Sequence, residues 1–307
     1  MNVRQRFCPC FGQSKIYLAT DSPGFVRQEQ WTFLRRYPDA GTRAVCELPT
    51  SAPHLSFNDA VISHPAQARI MTNTYCIKPG YEPSQQTESY DPEASRAYWT
   101  EERIHNSRIY QYHVYTACRG LIRAHRCKSL LEVGSGPAVK AAELLAPELE
   151  HVTLVDQPSV EPLVAQNLPN AVFASINLEL SDLDLGQQFD VVLCADVVEH
   201  LVDPDPCVRL IKRHLSPDGY AVISTPERDI LHGPDCNQSP HHAHIREWNQ
   251  HEFAAWLNSH GLRIVQHTLL PQTRLGPVEF MWSRILGKFA ALPRWFGCQM
   301  AVVRNGT

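Results

Sequence analysis

The chain has 307 residues, 43% of them apolar, a net charge of −4 and a sequence pI near 6.4. That length accommodates one α/β domain of about 180–200 residues plus an appendage. The charge excludes a strongly basic nucleic-acid-binding protein, although arginines between 103 and 126 leave a local basic patch open. No apolar run reaches the roughly 20 residues that a membrane helix needs. Met1-Asn2-Val3-Arg4-Gln5-Arg6-Phe7 lacks the apolar core of a signal peptide.

Residues 1–90 are rich in Pro, Ser, Thr and Gln, with short apolar patches at Ile16-Tyr17-Leu18 and Val45-Cys46-Glu47-Leu48. They read as an irregular N-terminal extension of loops and short strands. The ten cysteines are scattered, and Cys118 and Cys194 sit inside apolar elements. Free buried thiols in a reducing compartment, the cytoplasm, are the simplest reading. Cys8, Cys10, Cys46 and Cys76 offer a zinc alternative, but their spacing matches no common zinc pattern.

From residue 91 to 126 the pattern turns helical and aromatic, with Tyr98, Trp99, Tyr110, Tyr112 and Tyr115. This leader is expected to pack against the domain that follows, 127–307. There, strands are expected at 129–133, 151–156, 171–176, 189–195 and 219–225, with helices near 138–146, 159–167 and 204–215 between them. Ser216-Pro217-Asp218-Gly219 reads as a turn, and a helix near 249–260 stops at Gly261. The tail offers a strand at 263–270, a helical insertion near 277–290 and a last strand at 298–304.

Leu130-Leu131-Glu132-Val133-Gly134-Ser135-Gly136-Pro137-Ala138 is a buried strand turning sharply into a helix. Its glycines let a ligand approach bare backbone N–H groups at the helix N-terminus. Twenty residues after Gly136, the apolar run from His151 closes in Asp156, an acid suited to the two hydroxyls of a ribose. Val139 occupies the third glycine position of a dinucleotide loop, and no Gly-Lys-Ser/Thr of a P-loop follows. Glu-x-Gly-x-Gly with a distant ribose acid resembles the class I S-adenosylmethionine-dependent methyltransferases.

That resemblance implies a Rossmann-like, seven-stranded sheet with helices on both faces. It also implies that the cofactor is S-adenosylmethionine, held by Glu132, Gly134, Ser135, Gly136, Asp156, Asn177 and Asp196. Gly134 to Gly136 would pass under the methionine half. Asn177, just past the third strand, would meet the adenine amino group, or alternatively cap a turn. In many relatives such a helical leader also covers the cofactor as a lid.

A second group of residues begins at the end of the fourth strand. Asp196-Val197-Val198-Glu199-His200 resembles the motif of methyltransferases that act on hydroxyls, including ubiquinone-pathway and sugar O-methyltransferases. His244-Ile245-Arg246-Glu247-Trp248 resembles the ending found in small-RNA 3′-terminal 2′-O-methyltransferases. By that likeness Asp196, Glu199, His200 and His244 would hold a divalent cation, Mg²⁺ or Mn²⁺, with His242 as a neighbouring candidate. Such a cation would activate a hydroxyl, with Asp196, His200 and His244 as the catalytic groups. A metal-free reading stays open, in which the histidines act as base or pocket wall. His232 and His241 read as loop or surface residues. The expected acceptor is a hydroxyl of a small molecule, sugar or glycan. RNA stands second, and a catalytically inactive binding module third. The oligomeric state is not legible in the sequence.

Overall fold

The computed structural model describes residues 74–84, 98–180, 183–271, 278, 281 and 296–306. The short apolar patches before residue 50, Cys8, Cys10 and Cys46, and nearly all of the expected helical insertion 277–290 lie outside the described residues. Seven strands form one sheet in the order β3-β2-β1-β4-β5-β7-β6. They are β1 (Ser129–Val133), β2 (His151–Asp156), β3 (Val172–Ser175), β4 (Phe189–Ala195), β5 (Leu215–Pro226), β6 (Leu262–Leu270) and β7 (Cys298–Asn305). The pairs from β3 through β5 are parallel, and β7 runs antiparallel between β5 and β6.

β1 and β4 read as near-continuous apolar runs because both faces of the central sheet are covered. One face packs on α2 (Tyr112–His125), whose buried stripe is Val114, Tyr115, Cys118 and Ile122. A second core cluster joins Leu131, Val133, Val192 and Ile223 to Val208 and Ile211 of α4 (Asp205–His214) and to Phe253, Trp256 and Leu257 of α6 (Gln250–Ser259). Cys118, Cys127, Cys194 and Cys207 are buried free thiols. No described helix is long and apolar enough to cross a membrane.

The chain runs β1, β2, β3 to one edge and then returns to β4 beside β1. Loops after β1 and β4 therefore diverge at their carboxyl ends and open a crevice between them. The leader supplies α1 (Glu101–Asn106), capped by Thr100, before α2. A short helix α3 (Glu161–Asn167) follows β2, and α5 (Arg228–His232) follows β5. An Asn249–Glu252 capping box starts α6, and Gly261, at φ +72°, ends it.

Several local expectations need adjustment. The stretch expected as one α-helix over 138–146 contains a π-helical turn, Ala141–Leu145, followed by a 3₁₀ turn, Ala146–Glu148. Pro147 lacks the N–H that would continue an α-helix. Ser216 to Gly219 do not separate two elements but form an irregularity within β5. Leu215 pairs with Phe189 and Tyr220 with Val191, so the residues between are extra on the β5 side. Residues 74–84 belong to this core, with Tyr75 and Ile77 buried in the cluster that contains Trp248.

Candidate active site

The glycine loop after β1 is built as the sequence implies. Gly134 has φ +73° and Gly136 φ +54°, left-handed conformations that a Cβ disfavours. A Cβ at Gly134 would stand 2.4 Å from Val197 Cγ2, so the bare glycine is what brings this loop against the turn after β4. At Gly136 a Cβ would stand 3.0 Å from Trp99 of the leader, whose ring therefore lies on the loop. The Asp156 carboxylate accepts from Gly136 N (2.7 Å) and Gln157 N (2.6 Å). Burial nonetheless pushes its pKa up, against those two hydrogen bonds.

Glu132 is fully buried; Tyr115 of α2 donates to its Oε1, while its Oε2 has no hydrogen-bond partner among the described residues. Lys140 is buried too, with Nζ 4.7 Å from the Tyr115 ring centroid and donating to Ser107 O at 2.6 Å. Burial raises the Glu132 pKa and lowers that of Lys140. Ser135 is buried in the loop. Asn177 follows β3 as expected, but its Oδ1 accepts from Glu179 N at 3.0 Å, which is the turn-capping use of that side chain.

The second group gathers at the adjoining strand ends. Asp196 closes β4 at φ +52°; its amide donates to Ser224 O (3.1 Å), and Ser224 Oγ donates to its Oδ1 (2.6 Å). The 3₁₀ turn Val198–His200 then carries Glu199 and His200 inward. Glu199, His200 and His244 each bring one ligand atom to within 4.8 Å of the others. The His200 and His244 ring centroids are 4.8 Å apart. Asp196 is not a member of that trio, and His242 is exposed.

Each of the three offers an atom that could hold a cation. Glu199 is completely buried; Thr225 Oγ1 donates to its Oε2 (3.1 Å), and its Oε1 has no hydrogen-bond partner among the described residues. Burial, helped by the Asp196 charge, holds its pKa well above the usual carboxylate range. A neighbouring cation is the kind of partner that would keep such a group ionised. His200 Nδ1 lies 2.8 Å from Ala243 O, and His244 Nδ1 lies 2.5 Å from Glu247 Oε1. A carbonyl or carboxylate on one ring nitrogen leaves Nε2 of each ring for a ligand. Burial and the neighbouring His244 push the His200 pKa down to about 3, so the ring is neutral at physiological pH. The donor set of one carboxylate and two imidazoles fits a divalent cation.

His244 reaches this place because the segment after β5 folds back over the strand ends. Ile245 N donates to Glu199 O (2.8 Å), and Arg246 donates to Leu201 O (2.8 Å) and Val202 O (2.7 Å). Residues 74–84 clamp the same segment from outside. Ser84 N donates to Ile245 O, Glu247 N to Tyr81 Oη, and Trp248 Nε1 to Tyr75 O. The buried Arg228 fork holds Glu252 at 2.6 and 3.0 Å and donates to Glu247 O. Sequence reading gave Lys140 and Thr225 no role and named Trp99 and Tyr115 only among the leader's aromatics; Trp99, Tyr115 and Thr225 reach the site from other elements, whereas Lys140 stands just past the glycine loop. His232 is exposed, as read, while its Nε2 stands 3.1 Å from Glu247 Oε2. His241 stacks on His244 with centroids 4.0 Å apart.

Comparison with known proteins agrees with the fold. A family profile described as a methyltransferase domain matches residues 110–267, a little over half of the chain. A ubiquinone biosynthesis O-methyltransferase of Rickettsia conorii is 31% identical over 102 residues, covering 32% of this chain and 35% of that protein. One from Pseudomonas fluorescens is 31% identical over 107 residues, covering 33% of this chain and 46% of its own length. The chain thus spans between a third and a half of the length of these curated relatives. Among solved structures, the N-methyltransferase NodS of Bradyrhizobium japonicum, in complex with S-adenosyl-L-homocysteine, superposes with a TM-score of 0.50 at 14% identity, covering 70% of this chain and 97% of that one. The methyltransferase solved with the Haloferax volcanii Trm112 activator gives 0.52 at 15% identity, covering 73% of this chain and 100% of that one. With its strand order, its glycine loop and this match, the chain belongs to the methyltransferase-domain family and has the Rossmann-like fold of the class I S-adenosylmethionine-dependent enzymes.

Proposed function

We propose that this protein transfers the methyl group of S-adenosylmethionine to a hydroxyl oxygen, with a sugar or glycan as the acceptor and a divalent cation at Glu199, His200 and His244. The observation that carries the reading is the meeting of Glu199 and His200, on the turn just after Val197, with His244 from the segment that folds back after β5. The Val197–Gly134 contact makes acceptor site and cofactor loop neighbours. The names of the curated relatives support oxygen as the acceptor atom.

The glycine loop, with Glu132, Ser135 and Asp196 around it, would bind the amino-acid end of the cofactor, and Asp156 the ribose. Asn177 would serve the adenine if its side chain left Glu179 N. Trp99 and α1 would cover the loop and exclude water. A cation bound here lowers the pKa of a hydroxyl that touches it, which answers the poor nucleophilicity of a sugar hydroxyl at neutral pH. Glu199 and the two imidazoles would fix the acceptor oxygen in line with the sulfonium methyl, so that positioning supplies much of the rate. His200, neutral and hydrogen-bonded to Ala243 O, suits a ligand better than a proton carrier.

Two neighbouring hydroxyls, as in a sugar or a terminal ribose, match a site with one carboxylate and two imidazoles. The RNA 2′-hydroxyl is accordingly the second reading, favoured by the His244 to Trp248 segment. The test is transfer of labelled methyl to a panel of oligosaccharides and of RNAs with free 3′ ends, with Mn²⁺ or with chelator. Metal-dependent labelling of the glycans is expected; labelling of RNA alone would select the second reading. S-adenosylmethionine binding without transfer to any member would favour a binding module.

A further inference from the structure

Glu247 is almost completely buried, and its carboxylate lies among Ser239 and His244 of the loop and His232 of α5. Its Oε1 accepts from Ser239 Oγ (2.8 Å) and lies 2.5 Å from His244 Nδ1. Its Oε2 takes no hydrogen bond among the described residues, but His232 Nε2 of α5 stands 3.1 Å away. Its own amide is tied to Tyr81 Oη and its carbonyl to Arg228. A carboxylate so fixed does not need to touch a substrate to matter.

We propose that Glu247 is a positioning residue: by accepting from Nδ1 it fixes His244 in the tautomer whose Nε2 is free, and it sets the ring angle that brings His244 to Glu199 and His200. His232 and Ser239 hold the carboxylate in the orientation this requires. A histidine that ligates a metal commonly donates its second nitrogen to a carboxylate, which sets the tautomer and raises the basicity of the ligating nitrogen. His200 has only a backbone carbonyl for that purpose, Ala243 O, so the two imidazoles are supported unequally. The inference rests on the proposed metal reading for its consequence, but the tautomer of His244 is a property of the protein alone.

The experiment uses full-length protein labelled with ¹⁵N-histidine, metal-free, with His244 assigned through His244→Ala. Wild type should show the Nδ1-protonated form of His244. Glu247→Ala and the volume-conserving Glu247→Met should lose it to a mixed or Nε2-protonated form. Glu247→Gln should keep it, because Ser239 Oγ also donates to the Oε1 position and selects the amide oxygen there. Mn²⁺ titration followed by electron paramagnetic resonance should show binding about 10–100-fold weaker in the Ala and Met variants, with Gln nearer wild type. The wild-type tautomer together with wild-type Mn²⁺ affinity in either the Met or the Ala variant would overturn the proposal. Failure of the wild type to bind Mn²⁺ would overturn the metal reading instead, while the tautomer pattern would still support the role of Glu247.

Discussion

Gly134→Ala should damage this protein through one identifiable contact. The new Cβ would lie 2.4 Å from Val197 Cγ2, 3.2 Å from Cγ1 and 3.4 Å from Cβ, on a backbone at φ +73°. Carbon atoms pack without repulsion at about 3.5–4.0 Å, so the nearest approach is short by more than an ångström. The left-handed backbone costs an alanine about 1–2 kcal/mol. Overpacking of this kind adds about 1–3 kcal/mol. The sum is a loss of about 2–5 kcal/mol, read by urea denaturation at neutral pH, together with weaker S-adenosylmethionine binding by calorimetry because the loop must shift. Val197→Ala removes both γ carbons and leaves only the ordinary 3.4 Å contact. The double variant should therefore recover the overpacking part, giving a favourable coupling of about 1–3 kcal/mol in the mutant cycle. Coupling below about 0.5 kcal/mol, the usual scatter of additive sites, would refute the claim that glycine is needed at 134 to admit Val197.

Asp156→Ala should weaken S-adenosylmethionine binding by about 1.5–3 kcal/mol, the worth of charge-assisted hydrogen bonds, and unchanged calorimetric affinity would remove Asp156 from the cofactor site. Glu199→Gln should abolish Mn²⁺ binding yet raise the thermal midpoint of the metal-free protein. The folded pKa of Glu199 is raised, so on climbing from acid pH the unfolded chain releases its proton first and wild type loses stability relative to the Gln variant; a wild-type advantage that grows with pH instead would contradict this. Amide hydrogen exchange over 98–115 should slow when S-adenosylmethionine is added, since Trp99 lies on the glycine loop, and equal exchange with and without cofactor would dispose of the lid.

The methyltransferase sheet was legible because its signals are local. Apolar runs of strand length, Gly134 and Gly136 after β1, and Asp156 at the end of β2 each declare themselves within a few residues. The same holds for the helix over 250–259, stopped at Gly261; its Asn249–Glu252 capping box came from the structure. Local pattern was insufficient where backbone geometry is finer than period, as in the π-helical turn at 141–145 and the irregularity within β5. It was also insufficient for Asn177, whose residue type suits both a ligand contact and a turn cap, and whose side chain here makes the cap.

The sequence by itself determined which residue types stand at the carboxyl ends of the strands, because each follows directly on an apolar run. Only the tertiary structure decided which of them meet. Glu199 and His200 are brought together by one short turn, but His244 lies more than forty residues on and arrives through the fold-back of the segment after β5. That path is held by contacts no sequence window contains: Ile245 N on Glu199 O, Arg246 on the carbonyls after His200, and Tyr75, Tyr81 and Ser84 on the outer side. The polar segment folds inward because its buried backbone and side-chain groups find partners there, and a segment without them would stay in water. Asp196, one residue past β4, is turned instead toward Ser224 by the left-handed backbone at its own position. Periodicity and spacing describe what a chain carries along its length; partners across the fold decide where each group ends.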